Sequence, residues 1–313
     1  MPFVVRGIRN FFSAKKKVVI LGNCQSPVLR IILEAHPEFS RQYEVIQLPP
    51  VHLLTDTHRS EVLKAVKSAD VFLHQPISDA FGFYATDNLK KYLKKNAITC
   101  SFPVVFFSGY NPETIYLKDH SGKKVTQGFD YHDLNILKAF DEKLGVEETV
   151  EAISAPEFYP VPFIEKGIET SFRNLAVREQ TTDIQVSDFI RENMKGRMLF
   201  FSMNHPVNDI LYYVAERILK VLKTPPLQET AKKGVPQQLL GRTVLYKYPA
   251  IRKYFIFPEE PVIVDLKPLT LAEYVSLAFE QYAAQPDIVR LNLDAHLNGH
   301  DEIKQTLAKG LFK

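Results

Sequence analysis

The chain has 313 residues, 45% hydrophobic and 24% charged, the proportions of an ordinary globular protein, which exclude collagen-like, coiled-coil and wholly disordered architectures. Its 39 Lys and Arg against 36 Asp and Glu leave a net charge of +3, too little to argue for a nucleic-acid partner without a clustered basic patch. The two cysteines, Cys24 and Cys100, are too few for a disulfide framework and lack the C-x-x-C spacing of a structural zinc site, so a reducing cytoplasm and no metal are expected.

No run of about 18 apolar residues is present, which excludes an ordinary membrane-spanning helix. The N-terminal stretch MPFVVRGIRNFFSAKKK lacks a long apolar segment followed by a small-residue cleavage site and is not read as a signal peptide. Arg6, Arg9, Lys15, Lys16, Lys17 and Arg30 all precede the first acidic residue, Glu34, which would suit peripheral contact with an anionic membrane face. A packed or frayed extension is the preferred reading of residues 1–15.

From Lys16 to about Pro112, short β-rich runs alternate with helical ones, the mark of βαβ units and a parallel sheet. The pattern predicts strands from Val18 to Gly22 (VVILG), Tyr43 to Leu48 (YEVIQL), Asp70 to His74 (DVFLH) and Ser101 to Phe107 (SFPVVFF), with helices starting near Pro27, Thr57 and Asp87. The first run is apolar on both faces, as where helices cover a parallel sheet on each side. Beyond Pro112 long amphipathic stretches dominate, at about 131–144, 162–176, 184–194, 206–222 and 269–284, with brief β-like runs at 197–202 and 261–266. Residues 223–249, polar, Pro-containing and without a period, are expected as a long loop or mobile connection. The expected organisation is an extension (1–15), an α/β subdomain (16–112) and a mainly helical part (113–313) that completes the site.

The segment VVILGNCQSPVLRIILEAHP runs a buried strand into Gly22-Asn23-Cys24-Gln25 and then a helix, with Ser26 as expected N-cap and Pro27 as first helical residue. In an open α/β sheet ligands bind outside the carboxyl ends of the strands, which places Cys24 at a crevice. There the free N–H groups of a helix start favour a thiolate. Gly22 lets a ligand approach the backbone, and Asn23 and Gln25 offer hydrogen bonds to an oxyanion or phosphate. Cys100, in AITCSFPVVFF, reads as a buried small hydrophobe.

Two further strand ends face the same way: DVFLHQP, ending in His74 and Gln75, and FFSGYNP, with Ser108, Gly109, Tyr110 and Asn111. For His74 a structural and a catalytic role are equally open, and Tyr110 reads either as a packing residue or as a ligand platform. RMLFFSMNHPVNDILYYVAERILKVLK echoes the first motif, a short strand running into Ser202-Met203-Asn204-His205 and a helix opened by Pro206. His205 is the leading candidate for a general base or acid. His36 and the remaining histidines lack such a setting and are expected at the surface. Walker A, G-x-G-x-x-G, H-E-x-x-H, EF-hand and G-x-S-x-G sequences are all missing, which removes support for P-loop enzymes, standard dehydrogenases, common zinc proteases and α/β-hydrolases.

Taken in order, GNCQ after the first strand, HQP at a strand end, SGYNP, and the NHP turn before a long helix resemble the WcbI family of capsular polysaccharide-biosynthesis enzymes over nearly the whole chain. The resemblance implies an α/β fold, with a flavodoxin- or SGNH-like parallel-sheet subdomain embedded in a larger, predominantly helical fold. It further implies coenzyme A as the crevice ligand and transfer of acetyl from acetyl-CoA to a hydroxyl of a capsule sugar or its activated precursor. On that reading Cys24, His205 and His74 are the catalytic candidates. Gly22, Asn23, Gln25, Ser26, Arg30, Gln75, Gly109, Tyr110 and Asn204 are the candidate cofactor contacts. Arg30, Lys195 and Arg197 are the candidate cations for the phosphates. The expected setting is the cytoplasm, with the inner membrane or the capsule-assembly machinery as candidate peripheral partners. The loop is similar to that of the SGNH esterases with Cys24 in place of their serine, but Asp294-Ala-His296 is one residue short of their D-x-x-H pair, which leaves the base unassigned. A carbohydrate esterase working without coenzyme A, and a non-catalytic scaffold of capsule assembly, are the alternatives.

Overall fold

A computed structural model describes residues 14–236 and 239–310, so most of the expected N-terminal extension, including Arg6 and Arg9, lies outside the described residues. The apolar run that begins the α/β part forms β1 (Lys16–Leu21), followed by α1 (Gln25–Glu34), α2 (Pro37–Gln42), β2 (Tyr43–Ile46), α3 (Arg59–Ser68), β3 (Val71–His74), α4 (Thr86–Lys90) and β4 (Ile98–Ser101). The four strands make one parallel sheet in the order β2-β1-β3-β4. Val18 pairs with both Val45 and Val71, and Leu21 stands beside His74, which stands beside Ser101.

Alternate residues of the central strands feed two apolar clusters, as the two-residue period of a strand requires. Val18, Ile20, Val71 and Leu73 pack with Val28, Leu29 and Ile32 of α1 in the main core. Val19, Leu21 and Phe72 pack on the other face with Val62 and Val66 of α3 and Leu89 of α4. This covering of both faces is what the all-apolar first run predicts.

The fourth strand lies earlier than expected: β4 spans Ile98–Ser101 and shares only Ser101 with the expected run from Ser101 to Phe107. β4 ends at Ser101, and Pro103 has no N–H to give to a ladder. The Gln25 side chain binds residue 105 instead, donating from Nε2 to the Val105 carbonyl at 2.7 Å and accepting from the Val105 N–H at 3.2 Å.

Beyond it lie β5 (Thr114–Ile115) and β6 (His132–Asp133), then α5 (Leu134–Asp141), α6 (Val146–Ile153), α7 (Val161–Glu179) and α8 (Ser187–Asn193). They are followed by β7 (Phe200–Ser202), β8 (His205–Pro206), α9 (Asn208–Val221), α10 (Glu229–Lys233) and α11 (Pro249–Phe255). The chain closes with β9 (Val262–Val264), β10 (Lys267–Leu269), α12 (Leu271–Ala283), α13 (Pro286–Leu297) and α14 (Glu302–Lys309). The helix expected over 131–144 starts later because the Asp133 carboxylate caps it, accepting from Asn135 N at 2.8 Å and Ile136 N at 3.3 Å. Apart from α10 and the start of α11, the described residues of the 223–249 segment are irregular, as expected, but they are anchored by buried Thr224, Val235, Lys247 and Tyr248. One apolar cluster runs from Val18 on β1 to Ala308 on α14.

Two histidines expected at the surface are core residues. His36 is 1% exposed, where it N-caps α2 by accepting from Glu38 N and Phe39 N, its other ring nitrogen lying 3.0 Å from the Pro225 carbonyl. His132 is equally buried, with Nδ1 3.2 Å from the Tyr282 hydroxyl. Cys100 is buried, as its apolar flanks predict. Among the described residues no helix is long and apolar enough to cross a membrane, and no cluster of His, Cys, Asp or Glu is placed to hold a metal.

Candidate active site

The sheet order reverses at β1, whose neighbours β2 and β3 lie on opposite sides, so the crevice of such a sheet opens outside the ends of β1 and β3. The GNCQ loop and Gln75 occupy those two ends. Gln75 Oε1 accepts from the Asn23 N–H at 2.8 Å, and its Nε2 donates to Gln25 Oε1 at 3.0 Å. Gly22 is required by proximity: a Cβ there would lie 2.3 Å from Ser26 Oγ and 2.6 Å from Gln75 Oε1. Gln25 Nε2 also donates to the Asn204 carbonyl at 2.9 Å, which ties the first strand-loop-helix turn to its echo in the second half.

The helix starts two residues earlier than expected. Cys24, not Ser26, is the N-cap of α1; the Asn23 side chain accepts from Gln25 N at 2.9 Å and the Asn23 carbonyl from Ser26 N at 3.0 Å. Burial raises the Cys24 thiol above its ordinary value, and the backbone hydrogen bond that would stabilise the thiolate is the smaller effect. The thiolate expected from the helix start is thus outweighed by desolvation, and Cys24 is a neutral thiol near pH 7. Two polar atoms of the same helix, Ser26 Oγ and Arg30 Nε, are buried without a hydrogen-bond partner.

Facing the loop is a cluster built on Tyr131. Its hydroxyl donates to Asn204 Oδ1 at 2.8 Å and lies 3.4 Å from His205 Nε2. Ser202, whose hydroxyl donates to the same Asn204 Oδ1 at 3.2 Å, and Tyr116, whose ring centroid is 5.5 Å from that of Tyr131, stand beside it, and Cys24 is close enough to act electrostatically on both tyrosines. Desolvation pushes His205 down to about 4, so its ring is neutral at pH 7. His205 Nδ1 is buried without a partner. The ring is therefore a free base, and no carboxylate hydrogen-bonds to it among the described residues. Tyr131 and His205 also form part of the wall of a cavity of about 740 Å³.

The other expected residues divide. Cys24, Asn23, Asn204 and His205 come together with the two tyrosines. Gln25 and Gln75 are buried, with their amides engaged inside the protein, so they shape the loop. His74 stands apart: it stacks on Phe72 on the opposite face of the sheet from the cluster that Cys24 packs against, and burial lowers it to about 4. Tyr110 is a core residue whose hydroxyl donates to the Met194 carbonyl at 2.9 Å, amid Phe107, Phe200, Phe255 and Phe257. Gly109 serves the same packing, since a Cβ there would meet the Phe107 ring at 2.4 Å. The proposed phosphate cations are occupied: Arg30 by Glu34, Arg197 by Asp209, and Lys195 by the face of Tyr254.

Sequence reasoning missed Tyr116, Tyr131 and Arg178. Arg178 stacks over Phe106, which packs in the small apolar cluster of Tyr131, Met203 and Tyr116, and no carboxylate pairs with it among the described residues. The one available signal was Tyr131 beside two acids in GFDYHDL, a polar setting for an aromatic residue.

An open parallel sheet with a cysteine loop at its switch point and a tyrosine–histidine pair beside it defines an α/β protein with a ligand crevice at the strand ends. The family profile of the polysaccharide biosynthesis enzyme WcbI matches residues 17–227, and the chain belongs to that family. It is thereby an enzyme of polysaccharide biosynthesis by family. A solved structure of WcbI, in a native form without a disulfide bond between coenzyme A and one of its cysteines, is similar with a TM-score of 0.81 at 22% identity, over 96% of this chain and 100% of that one. No curated protein matches.

Proposed function

We propose that the protein transfers an acetyl group from acetyl-CoA to a sugar hydroxyl in capsular polysaccharide biosynthesis. The observation that carries this reading is the juxtaposition of Cys24, at the switch-point crevice, with the Tyr131–His205 pair. The likeness to a protein whose cysteine is named together with coenzyme A supports it, with Cys24 taken as the counterpart of that cysteine.

The residues present fit coenzyme A. Ser26 Oγ and Arg30 Nε are buried polar atoms without partners on the helix that Cys24 caps, and Arg178 is a cation beside the site that no carboxylate pairs with among the described residues. Arg178 would hold a phosphate, and the first turn of α1 would hold the thiol end of the carrier. Acetyl-CoA supplies an activated thioester. In direct transfer, His205 would take the proton of the attacking hydroxyl at its unprotonated ring nitrogen as the acetyl carbon bonds to that oxygen and its bond to sulfur breaks, and would then return the proton to the departing sulfur; Tyr131 would orient the imidazole and Cys24 would position the sulfur. Neutrality of the Cys24 thiol favours this route over an acetyl-cysteine, since the thiolate is the nucleophilic form. The esterase reading is weakened because SGNH-type hydrolysis relies on a carboxylate behind the histidine, and neither ring nitrogen of His205 has one. The reading places the enzyme in the cytoplasm, where free thiols persist.

Thermal unfolding with excess acetyl-CoA, against ADP as control, tests the reading. A ligand at about 100 times its dissociation constant adds roughly 2.7 kcal/mol, so a clear upward shift with acetyl-CoA and little with ADP is expected. The absence of any shift would sink the proposal.

A further inference from the structure

The cavity of about 740 Å³ that shares Tyr131 and His205 with the Cys24 site lies within the range of small-molecule pockets. Its lip is built: Gln281 of α12 donates from Nε2 to the Gln127 carbonyl at 2.7 Å and accepts from Phe129 N at 3.4 Å. Gly128 is needed between them, because it sits at φ +83 and a Cβ would lie 2.3 Å from Gln281 Oε1. The charge of the lining is one-sided. Arg242, its one cation, is held by Asp265, and Asp130 holds Lys124 at 2.8 Å, while Glu280 has no ion-pair partner among the described residues. Phosphate recognition needs unpaired cations or a cluster of backbone N–H groups, and this wall offers instead the unpaired carboxylate of Glu280 and several glutamines together with Phe129. Such a lining suits a polyhydroxylated ring, whose hydroxyls donate to a carboxylate and whose C–H face stacks on an aromatic ring.

We propose that this cavity is the acceptor pocket and that it takes an uncharged, polyhydroxylated ring, a glycosyl unit without phosphate, with one hydroxyl turned to Tyr131 and His205. The phosphates of an activated precursor and those of the acetyl carrier stay outside it. Its role as acceptor pocket rests on the acetyl-transfer reading; the chemical class of its ligand does not.

Saturation-transfer NMR on the full chain without coenzyme A tests the ligand class, using a panel of methyl hexopyranosides with glucose 6-phosphate and mannose 6-phosphate as charged counterparts. At least one methyl glycoside is expected to receive saturation, and the phosphorylated sugars several-fold less. Ala284→Trp, at the C-terminal end of α12 in the cavity wall, is expected to abolish the glycoside signal and keep the thermal shift with acetyl-CoA. Leu277→Trp serves in its place should Ala284→Trp fail to fold. No signal from any glycoside, equal or stronger signals from the phosphorylated sugars, a signal that survives occlusion, or loss of the acetyl-CoA shift on occlusion would each overturn the proposal. A wild-type protein that binds glycosides but gives no acetyl-CoA shift would remove the acetyl-transfer reading and the acceptor role while leaving the ligand class in place.

Discussion

Cys24 and His205 are both held in their neutral forms by burial, and this decides how each residue can act. A neutral thiol at a helix N-cap positions sulfur without attacking, so Cys24→Ala is expected to lower the rate of coenzyme A release modestly, by about tenfold or less. Abolished turnover would indicate an acetyl-cysteine instead. A neutral imidazole can accept a proton, and its removal in His205→Asn is expected to lower turnover by roughly 10²–10⁴, with the acetyl-CoA thermal shift retained. Tyr131→Phe deletes the hydroxyl that links Asn204 to His205. Its expected cost is about 1 kcal/mol of stability by urea unfolding, with a larger proportional loss in turnover than in acetyl-CoA affinity.

At the scale of elements, Gln25 joins three segments that lie far apart in sequence. Its amide serves both backbone groups of Val105, the carbonyl of Asn204 and the amide of Gln75, in a side chain 1% exposed. Gln25→Ala leaves several buried polar groups unpaired, each costing about 1–3 kcal/mol, so a loss of roughly 3 kcal/mol or more is expected in the urea midpoint. A loss under about 1 kcal/mol would show that water or relaxation replaces the bonds. The same residue explains what was legible in the sequence and what was not. The strands β1, β2 and β3 announce themselves because their apolar runs are local and bounded by turn residues. The end of β4 does not, because Val105 and Phe107 are apolar for burial in an irregular segment that a glutamine some 80 positions earlier stabilises. Within the site, GNCQ and NHP were visible as strand-loop-helix turns. Tyr131 was hidden because its partners Tyr116, Asn204 and His205 reach it only through tertiary contacts, and His74 misled because its place at a strand end gave no indication of which face it takes.

For the whole molecule, the buried titratable groups set opposing pH dependences. Burial holds His74, His132, His205 and His296 down to about 4, from an ordinary 6.5. Between those values the unfolded chain binds more protons than the folded one, so their effect is to lower stability as pH falls through that window. Glu113 and Asp133 act the other way. Burial and their mutual repulsion raise Glu113 from 4.5 to about 8, and burial raises Asp133 from 3.8 to about 6, so the fold binds their protons first and loses stability as pH rises through those ranges. Buried Lys247 and Lys304, lowered from 10.5 to about 8, lose a proton in the fold first, which restores stability above pH 8. Four histidines outweigh two carboxylates below pH 6, and above the range of the histidines the raised Glu113 lowers stability until the buried lysines begin to lose their protons. Urea midpoints are therefore expected to rise from pH 4 to about 6.5 and then to dip toward pH 8. Glu113→Gln, which keeps the shape and the acceptor oxygen for Asn111 or Tyr159, is expected to remove that dip and leave the acid limb intact. A dip that persists in this variant would mean that the burial of Glu113 is not what sets the alkaline side of the profile.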